Sequence, residues 1–367
     1  MLLRSSRSLA LAATSLALVA APLMAQTQTP THSTATQSTA AQSTPSQTTA
    51  PRSTAPASPE APSAPAAQAP STTLPPMPPV DQKNFTATTP TVDTVNSFLK
   101  ASWGYDPARI WQVQAIQKTA VQGVSHVVVL VEEKGSGQQQ PSPLSFFTLP
   151  DGKHLIADEV LPFGAKPFED YRELLQKQAD GPSKGAASKD LMLVEFADFE
   201  CPHCKEADPL VQRLLTDFPN AHYVYENFPL AQIHAQAEKA AEYGVCVAKL
   251  GGNDAFFKYS VSVYANQTGL TPEGATQTLN KAVTAAGQDP AKVSTCASSP
   301  ETKATIAAQL QLGADVGVNS TPTLFINGRG LPFAGIPYET LKQIVSFQMQ
   351  LDGVQPTGNT SVSPPHK

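Results

Sequence analysis

Residues 193–204, LVEFADFECPHC, constrain this chain more than any other stretch. Leu193, Val194, Phe196 and Phe199 form a short apolar run around a single carboxylate, Glu195, and read as a strand. The run ends in Cys201-Pro202-His203-Cys204, and a helical pattern follows at once through Lys205, Glu206, Leu210, Val211, Leu214 and Leu215. Two thiols three positions apart, where a strand gives way to a helix, form a redox device. The first sulfur lies at or just before the helix N-terminus, where unpaired N–H groups and the positive end of the helix dipole stabilise a thiolate. The second lies one turn on, close enough to close a small disulfide with the first. Pro202 lacks an N–H and fits the first helical turn. His203 can donate to the Cys201 thiolate or place positive charge beside it, which stabilises the reduced pair.

The chain has 367 residues, enough for two ordinary domains, and a formal net charge of −5. That mild acidity gives no reason to expect nucleic acid as a partner. Residues 1–25 read as a secretory signal: Arg4 and Arg7 form the positive segment, residues 9–23 the apolar one, and cleavage is expected after Ala21 or Ala25. An uncleaved anchor is the alternative, but the apolar run is short for a membrane span and is interrupted by Thr14 and Ser15. The expected location is the periplasm or another exported, oxidising compartment, where disulfides persist. The four cysteines are Cys201, Cys204, Cys246 and Cys296. Cys246 and Cys296 stand apart from each other, unlike the close pairs of structural zinc sites. The expected division is a catalytic Cys201–Cys204 pair and a structural Cys246–Cys296 disulfide, with zinc held by all four as the competing reading. No cofactor or metal is expected.

Residues 26–89 are almost entirely Gln, Thr, Ser, Ala and Pro, a composition too poor in apolar bulk to offset chain entropy. They are expected to form a disordered linker. Order is expected from Pro90. Thr91 or Asp93 can cap a helix with Val92, Val95, Phe98 and Leu99 on one face, followed by strands at 110–116, 124–131, 144–149 and 154–160. Pro150-Asp151-Gly152-Lys153 is the turn between the last two. With a second helix at 168–178, residues 90–180 read as a small α+β domain. Residues 179–190, with Gly181-Pro182 and Gly185, read as a hinge. Residues 185–351 form the second domain. It runs through a helix at 205–217, a strand at 222–226, a helical insertion at 230–316, a hairpin around Asn327-Gly328 and a last helix opened by Pro337. Residues 352–367 are expected to form a flexible tail.

The run VEFADFECPHCK resembles the DsbA-like thiol–disulfide oxidoreductases of the thioredoxin-fold superfamily, with Glu195 as the acidic residue six positions before the first cysteine. A second landmark of that family stands downstream, Asn319-Ser320-Thr321-Pro322-Thr323-Leu324-Phe325-Ile326-Asn327-Gly328. Together they cover residues 185–350. The resemblance implies an α/β thioredoxin-like fold with a helical insertion, preceded here by the small α+β domain and the Pro/Thr/Gln-rich linker. It implies that Cys201 is the attacking thiolate and Cys204 the resolving thiol. It implies that Pro322 is cis and that the Thr321 backbone lies beside Cys201 to pair with substrate. Glu195 then serves as a proton acceptor for the second thiol; otherwise it is a strand-edge carboxylate facing water. Asp198, Glu200 and Glu206 are expected to be solvated, and His234 to be structural. The segment SFFTLPDGKHLIADEV also resembles a hairpin in the N-terminal domain of DsbC and DsbG disulfide isomerases, which in those proteins dimerises the chain and builds a substrate cleft.

The leading expectation is an exported enzyme that exchanges disulfides with unfolded or cysteine-containing exported proteins, as oxidant, and is recharged by a membrane or soluble redox partner. An isomerase or reductase that uses its N-terminal domain to form a homodimer or bind substrate is the alternative within the class. A client-binding holdase or a metal-binding module is the alternative outside it.

Overall fold

The computed structural model describes residues 77–135, 140–158 and 160–355. The signal segment, residues 26–76 of the linker and residues 356–367 of the tail lie outside them. The part of the linker that is described departs from expectation. Thr86 and Ala87 both donate their main-chain N–H to the Ile116 carbonyl at 3.0 Å, and Phe85 packs onto the first core. The Phe85 ring and an isolated bridge to Ile116 hold the segment just before Pro90.

The first core lies between helix α1 (Val92–Trp103) and a five-stranded antiparallel sheet. Thr91 caps α1 by accepting from the Thr94 N–H at 3.1 Å. Val95 and Leu99 recur at helical spacing and are wholly buried against Val113, Ile116, Val127, Val129 and Phe146. Truncating Leu99 to alanine would cost roughly 2–5 kcal/mol. The strands follow in chain order: β1 (Arg109–Lys118), β2 (Ser125–Glu133), β3 (Ser142–Thr148), β4 (His154–Ile156) and β5 (Val160–Pro162). In the turn before β4, Gly152 has φ 68° and Asp151 Oδ1 accepts from the Lys153 N–H at 2.9 Å. The strand expected over 154–160 is two short strands folded back on each other. On the outer face, His126 pairs with Phe147, Phe147 with Ile156, and Ile156 with Val160. The three apolar members of this stripe are 43, 37 and 58% exposed.

The second sheet has the order β10-β9-β7-β8-β6. Its centre, β7 (Leu191–Ala197), is buried at every position, parallel to β8 (Ala221–Asn227) and antiparallel to β9 (Thr323–Ile326). Helix α3 (Pro202–Asp217) is the crossover that a parallel β7–β8 pair requires. Strand alternation sends Leu191, Leu193 and Ala197 to the face covered by α3 and by α8 (Tyr338–Leu351). Met192, Val194 and Phe196 go to the other face, where they meet Leu175 of α2 (Glu169–Gln178) and Leu312 of α7 (Pro300–Asp315). Helix α2 therefore packs on the second sheet, although its place in the sequence assigned it to the small domain. The expected hinge is also a fixed element: residues 183–185 form β6 (Ser183–Gly185), hydrogen-bonded along β8. The Gly181 N–H just before it donates to Glu226 Oε1 at 2.9 Å.

The helical insertion holds α4 (Ala237–Ala265), broken at Gly252 where φ is 76°, then α5 (Ala275–Ala285), α6 (Pro290–Ala297) and α7. Cys246 of α4 and Cys296 of α6 are joined in a disulfide across 50 positions. The hairpin from β9 to β10 (Arg329–Pro332) turns on Asn327 and Gly328, both at positive φ, as a two-residue hairpin loop requires. Gly328 is needed twice, since a Cβ there would stand 2.2 Å from the Phe168 carbonyl oxygen.

Arg329 ties the two sheets' domains together. It is buried, donates to the Ala101 carbonyl and to the Ser102 carbonyl at 2.9 Å, and lies over the Phe168 ring at 4.4 Å. A guanidinium at the last turn of α1 meets the orphan carbonyls and the negative end of that helix together.

Candidate active site

Cys201 is the N-cap of α3, and Pro202 opens the helix. Neither Cys201 nor Cys204 is in a disulfide, and both are buried. The Thr321–Pro322 peptide is cis, and it brings the Thr321 carbonyl to 3.5 Å from Cys201 Sγ. When Cys201 holds its proton, the thiol donates to that carbonyl. When it is ionised, the buried and otherwise unpartnered Thr321 hydroxyl is available as a donor. Cys201 is pulled down to about 5, first by its hydrogen bond with Cys204 and then by Thr321 and the main-chain N–H groups of Cys204 and His203, against the opposing effect of burial. Cys204 is driven well above the ordinary thiol range by burial and by its neighbour Cys201. The Asp198 N–H, 3.4 Å from Cys204 Sγ, offsets this only in part. The pair is thus split into one thiol poised to ionise and one held protonated.

Glu195 lies on the same face of β7 as the cysteines and is buried, not at a strand edge facing water. The Tyr223 hydroxyl donates to its Oε2. Burial raises Glu195 to about 7, against the Tyr223 hydrogen bond, so that it can hold or release a proton near neutrality. His203 differs from expectation. Its imidazole is 63% exposed and sits 3.2 Å from Glu206, so the contribution of this residue to Cys201 is its main-chain N–H.

Asp198 also differs. It is 1% exposed, because its carboxylate has three internal donors: the Glu200 N–H at 2.7 Å, the Leu230 N–H at 2.8 Å and His234 Nδ1 at 2.8 Å. A buried carboxylate persists only with such partners. Here they bind the loop after β8 to the approach to Cys201. Glu200 adds a second bond, accepting from the Gln236 N–H at 2.6 Å. Gln267 went unnoticed in the sequence. Its Nε2 donates to the Phe199 carbonyl at 2.9 Å and the Cys201 carbonyl at 2.8 Å. No local signal marks it, since Asn266-Gln267-Thr268-Gly269 reads as an ordinary polar turn. Cys246 and Cys296, being bonded to each other, stand apart from this constellation.

With this geometry, residues 177–346 also match the profile of a protein family described as Thioredoxin. That region is a thioredoxin-fold domain; the first-sheet domain lies ahead of the match. Among curated proteins, 89 residues are 38% identical to the Na(+)/H(+) antiporter NhaA 1 of Salinispora arenicola, over 24% of this chain and 13% of that protein. A longer stretch of 167 residues is 26% identical to NhaA 1 of Mycobacterium sp. strain KMS, over 45% of this chain and 25% of that protein. The chain thus spans a quarter or less of either antiporter. Among the described residues, no helix is long and apolar enough to cross a membrane. Similar solved structures include Proteus mirabilis ScsC in a transitional conformation, 24% identical with TM-score 0.42, over 49% of this chain and 78% of that one. The thiol-disulfide exchange protein alpha-DsbA2 from Wolbachia pipientis is 20% identical with TM-score 0.43, over 49% and 94%. BdbD from Bacillus subtilis is 19% identical with TM-score 0.41, over 47% and 94%.

Proposed function

We propose that the protein is an exported thiol–disulfide oxidoreductase that oxidises cysteine-containing exported proteins through Cys201 and Cys204. The observation that carries this reading is the placement of the two thiols. Cys201 stands at the N-terminus of α3, 3.5 Å from the Thr321 carbonyl, and Cys204 is wholly buried one turn on, a placement that pulls Cys201 down and pushes Cys204 up. In the oxidised protein a client thiolate attacks Cys201 Sγ, the Cys201–Cys204 bond breaks, and Cys204 leaves and takes a proton, with Glu195 as the nearby donor. A second client thiolate then attacks the client sulfur of the mixed disulfide and expels Cys201 as a thiolate. The client loses two electrons and gains a disulfide; the protein is left as a dithiol that a redox partner must reoxidise. A stable Cys201 thiolate is a good leaving group, and it makes the reduced form the favoured one, which is what renders a pair oxidising. The Thr321 main chain, beside Cys201 at the open end of β9, is the edge along which the client's extended backbone pairs.

The test is thiol exchange with a reduced peptide. Cys201→Ser abolishes it, and Cys204→Ser accumulates client bound to Cys201; unchanged exchange in Cys201→Ser contradicts the reading. A holdase would instead protect clients fully with both cysteines replaced. Export is tested by sequencing the N-terminus of the mature protein, expected to start after Ala21 or Ala25.

A second reading, an isomerase or reductase whose first domain joins two copies or holds substrate, is favoured by one observation, the exposed stripe Phe147-Ile156-Val160. Sedimentation of the wild type and of Phe147→Asp tests it. A dimer that Phe147→Asp dissociates favours this reading, and a monomer in both removes the dimer.

A further inference from the structure

We propose that Gln267 is a positioning residue for Cys201, holding the Cys201 carbonyl off the α3 axis so that the first-turn N–H groups stay directed at the sulfur. This rests on the reading of Cys201 as the reacting thiol. Gln267 lies in the short turn that ends α4, 66 positions from Cys201, and its amide nitrogen spends both N–H groups on the carbonyls of Phe199 and Cys201. The first helical bond of α3, from the Lys205 N–H to the Cys201 carbonyl, is stretched to 3.4 Å, whereas the Gln267 bond to the same oxygen is 2.8 Å. The shorter partner sets the direction of that carbonyl. The insertion also grips the preceding ring: Phe199 meets Tyr259 edge-on at 5.4 Å and Tyr264 at 5.4 Å, with Phe256 at 6.1 Å.

The chemistry follows from the dipoles. A carbonyl oxygen turned toward a thiolate repels it, while N–H groups turned toward it hold it. With the Phe199 ring wedged and both carbonyls engaged, the backbone from 199 to 201 cannot rotate an oxygen toward Cys201 Sγ. Of the dipoles in the Cys201 loop itself, the main-chain N–H groups of His203 and Cys204 are then the ones that face the sulfur, with the Thr321 carbonyl, from the segment before β9, 3.5 Å away. The insertion thereby sets the reactivity of a nucleophile carried by the sheet core.

The experiment titrates the ultraviolet absorbance of the Cys201 thiolate in the reduced full-length chain, for the wild type, Gln267→Met and Gln267→Ala. Methionine keeps the length of the side chain and loses the donors. Both variants are expected to raise the midpoint by about half to one pH unit. The control is Gln309→Met, which removes a buried amide that accepts from two groups, Asn227 N–H and Nδ2, on the opposite face of the sheet. It is expected to lower Tm and leave the midpoint where it is. Folded Gln267 variants that titrate like the wild type would overturn the proposal. A wild type that titrates in the ordinary thiol range would instead overturn the reading of Cys201 on which it rests.

Discussion

The two five-stranded sheets differ most in what they bury. The first sheet is a meander in chain order with an apolar core from Val95 and Leu99 to Phe146 and Leu155, and its buried polar residues are Ser125, Glu132 and Thr148 on the strands. The second buries Glu195, Asp198, Glu226, Asn227, Gln309 and Arg329 among its apolar residues. Buried charge costs free energy unless every group finds a partner, so a fold retains it where it serves chemistry or fixes one arrangement. Two sheets of equal strand number therefore do different work. The first is a packed body with an apolar outer stripe, and the second is a preorganised polar frame around two thiols.

The largest effect that separates them comes from the first core. Phe146→Ala is expected to cost about 3–5 kcal/mol in denaturant unfolding while leaving the Cys201 titration of the folded protein unchanged. A shifted midpoint would mean that the sheets are not separable in this way. Next is the pH dependence carried by the second sheet. Glu195 titrates near 4.5 when unfolded and about 7 when folded, so between those values the folded state keeps a proton that the unfolded state releases. Stability therefore falls as pH rises through that window, and Glu226, raised to about 8 by burial, acts in the same direction. Glu195→Gln is expected to remove on the order of 2–3 kcal/mol of this loss by pH 8, seen as a flatter stability–pH curve. An unchanged slope would show that Glu195 is not held protonated by its surroundings.

Smaller again is the link between the domains. Arg329→Met strips the end of α1 of its donors and is expected to cost about 1–3 kcal/mol. It also separates one unfolding transition into two, as resolved by calorimetry. The smallest effect sharpens the site itself. His203→Ala is expected to change the reduction potential's equilibrium constant by no more than about twofold, because an exposed imidazole paired with Glu206 contributes little. A tenfold change would return the imidazole to Cys201.

Those contrasts also explain what was legible in the sequence. The strand–CPHC–helix run and the hairpin after Thr321-Pro322 are local patterns, so their elements could be read directly, whereas the meeting of Thr321 with Cys201 was implied only by the family resemblance. The first helix, the antiparallel strands and the Asp151-Gly152 and Asn327-Gly328 turns were legible for the same reason. What escaped depends on partners far along the chain. Asp198 looks solvated until His234 and the Leu230 N–H arrive from 32 to 36 positions away. Gln267 is an unremarkable turn residue until it meets Cys201. Helix α2 has the apolar face of any surface helix, and only the second sheet's Met192, Val194 and Phe196 decide where that face goes. Residues 183–185 read as part of a hinge over 179–190 because of Gly181-Pro182 and Gly185, but strand pairing with β8 overrides that preference.

The central claim is that the polar frame of the second sheet makes the Cys201–Cys204 pair oxidising. The most direct measurement is its equilibrium reduction potential against glutathione. The account predicts a value near that of the strong oxidant DsbA, about −120 mV. A value near that of thioredoxin, about −270 mV, would contradict it and mean that the pair takes electrons in order to reduce or reshuffle disulfides.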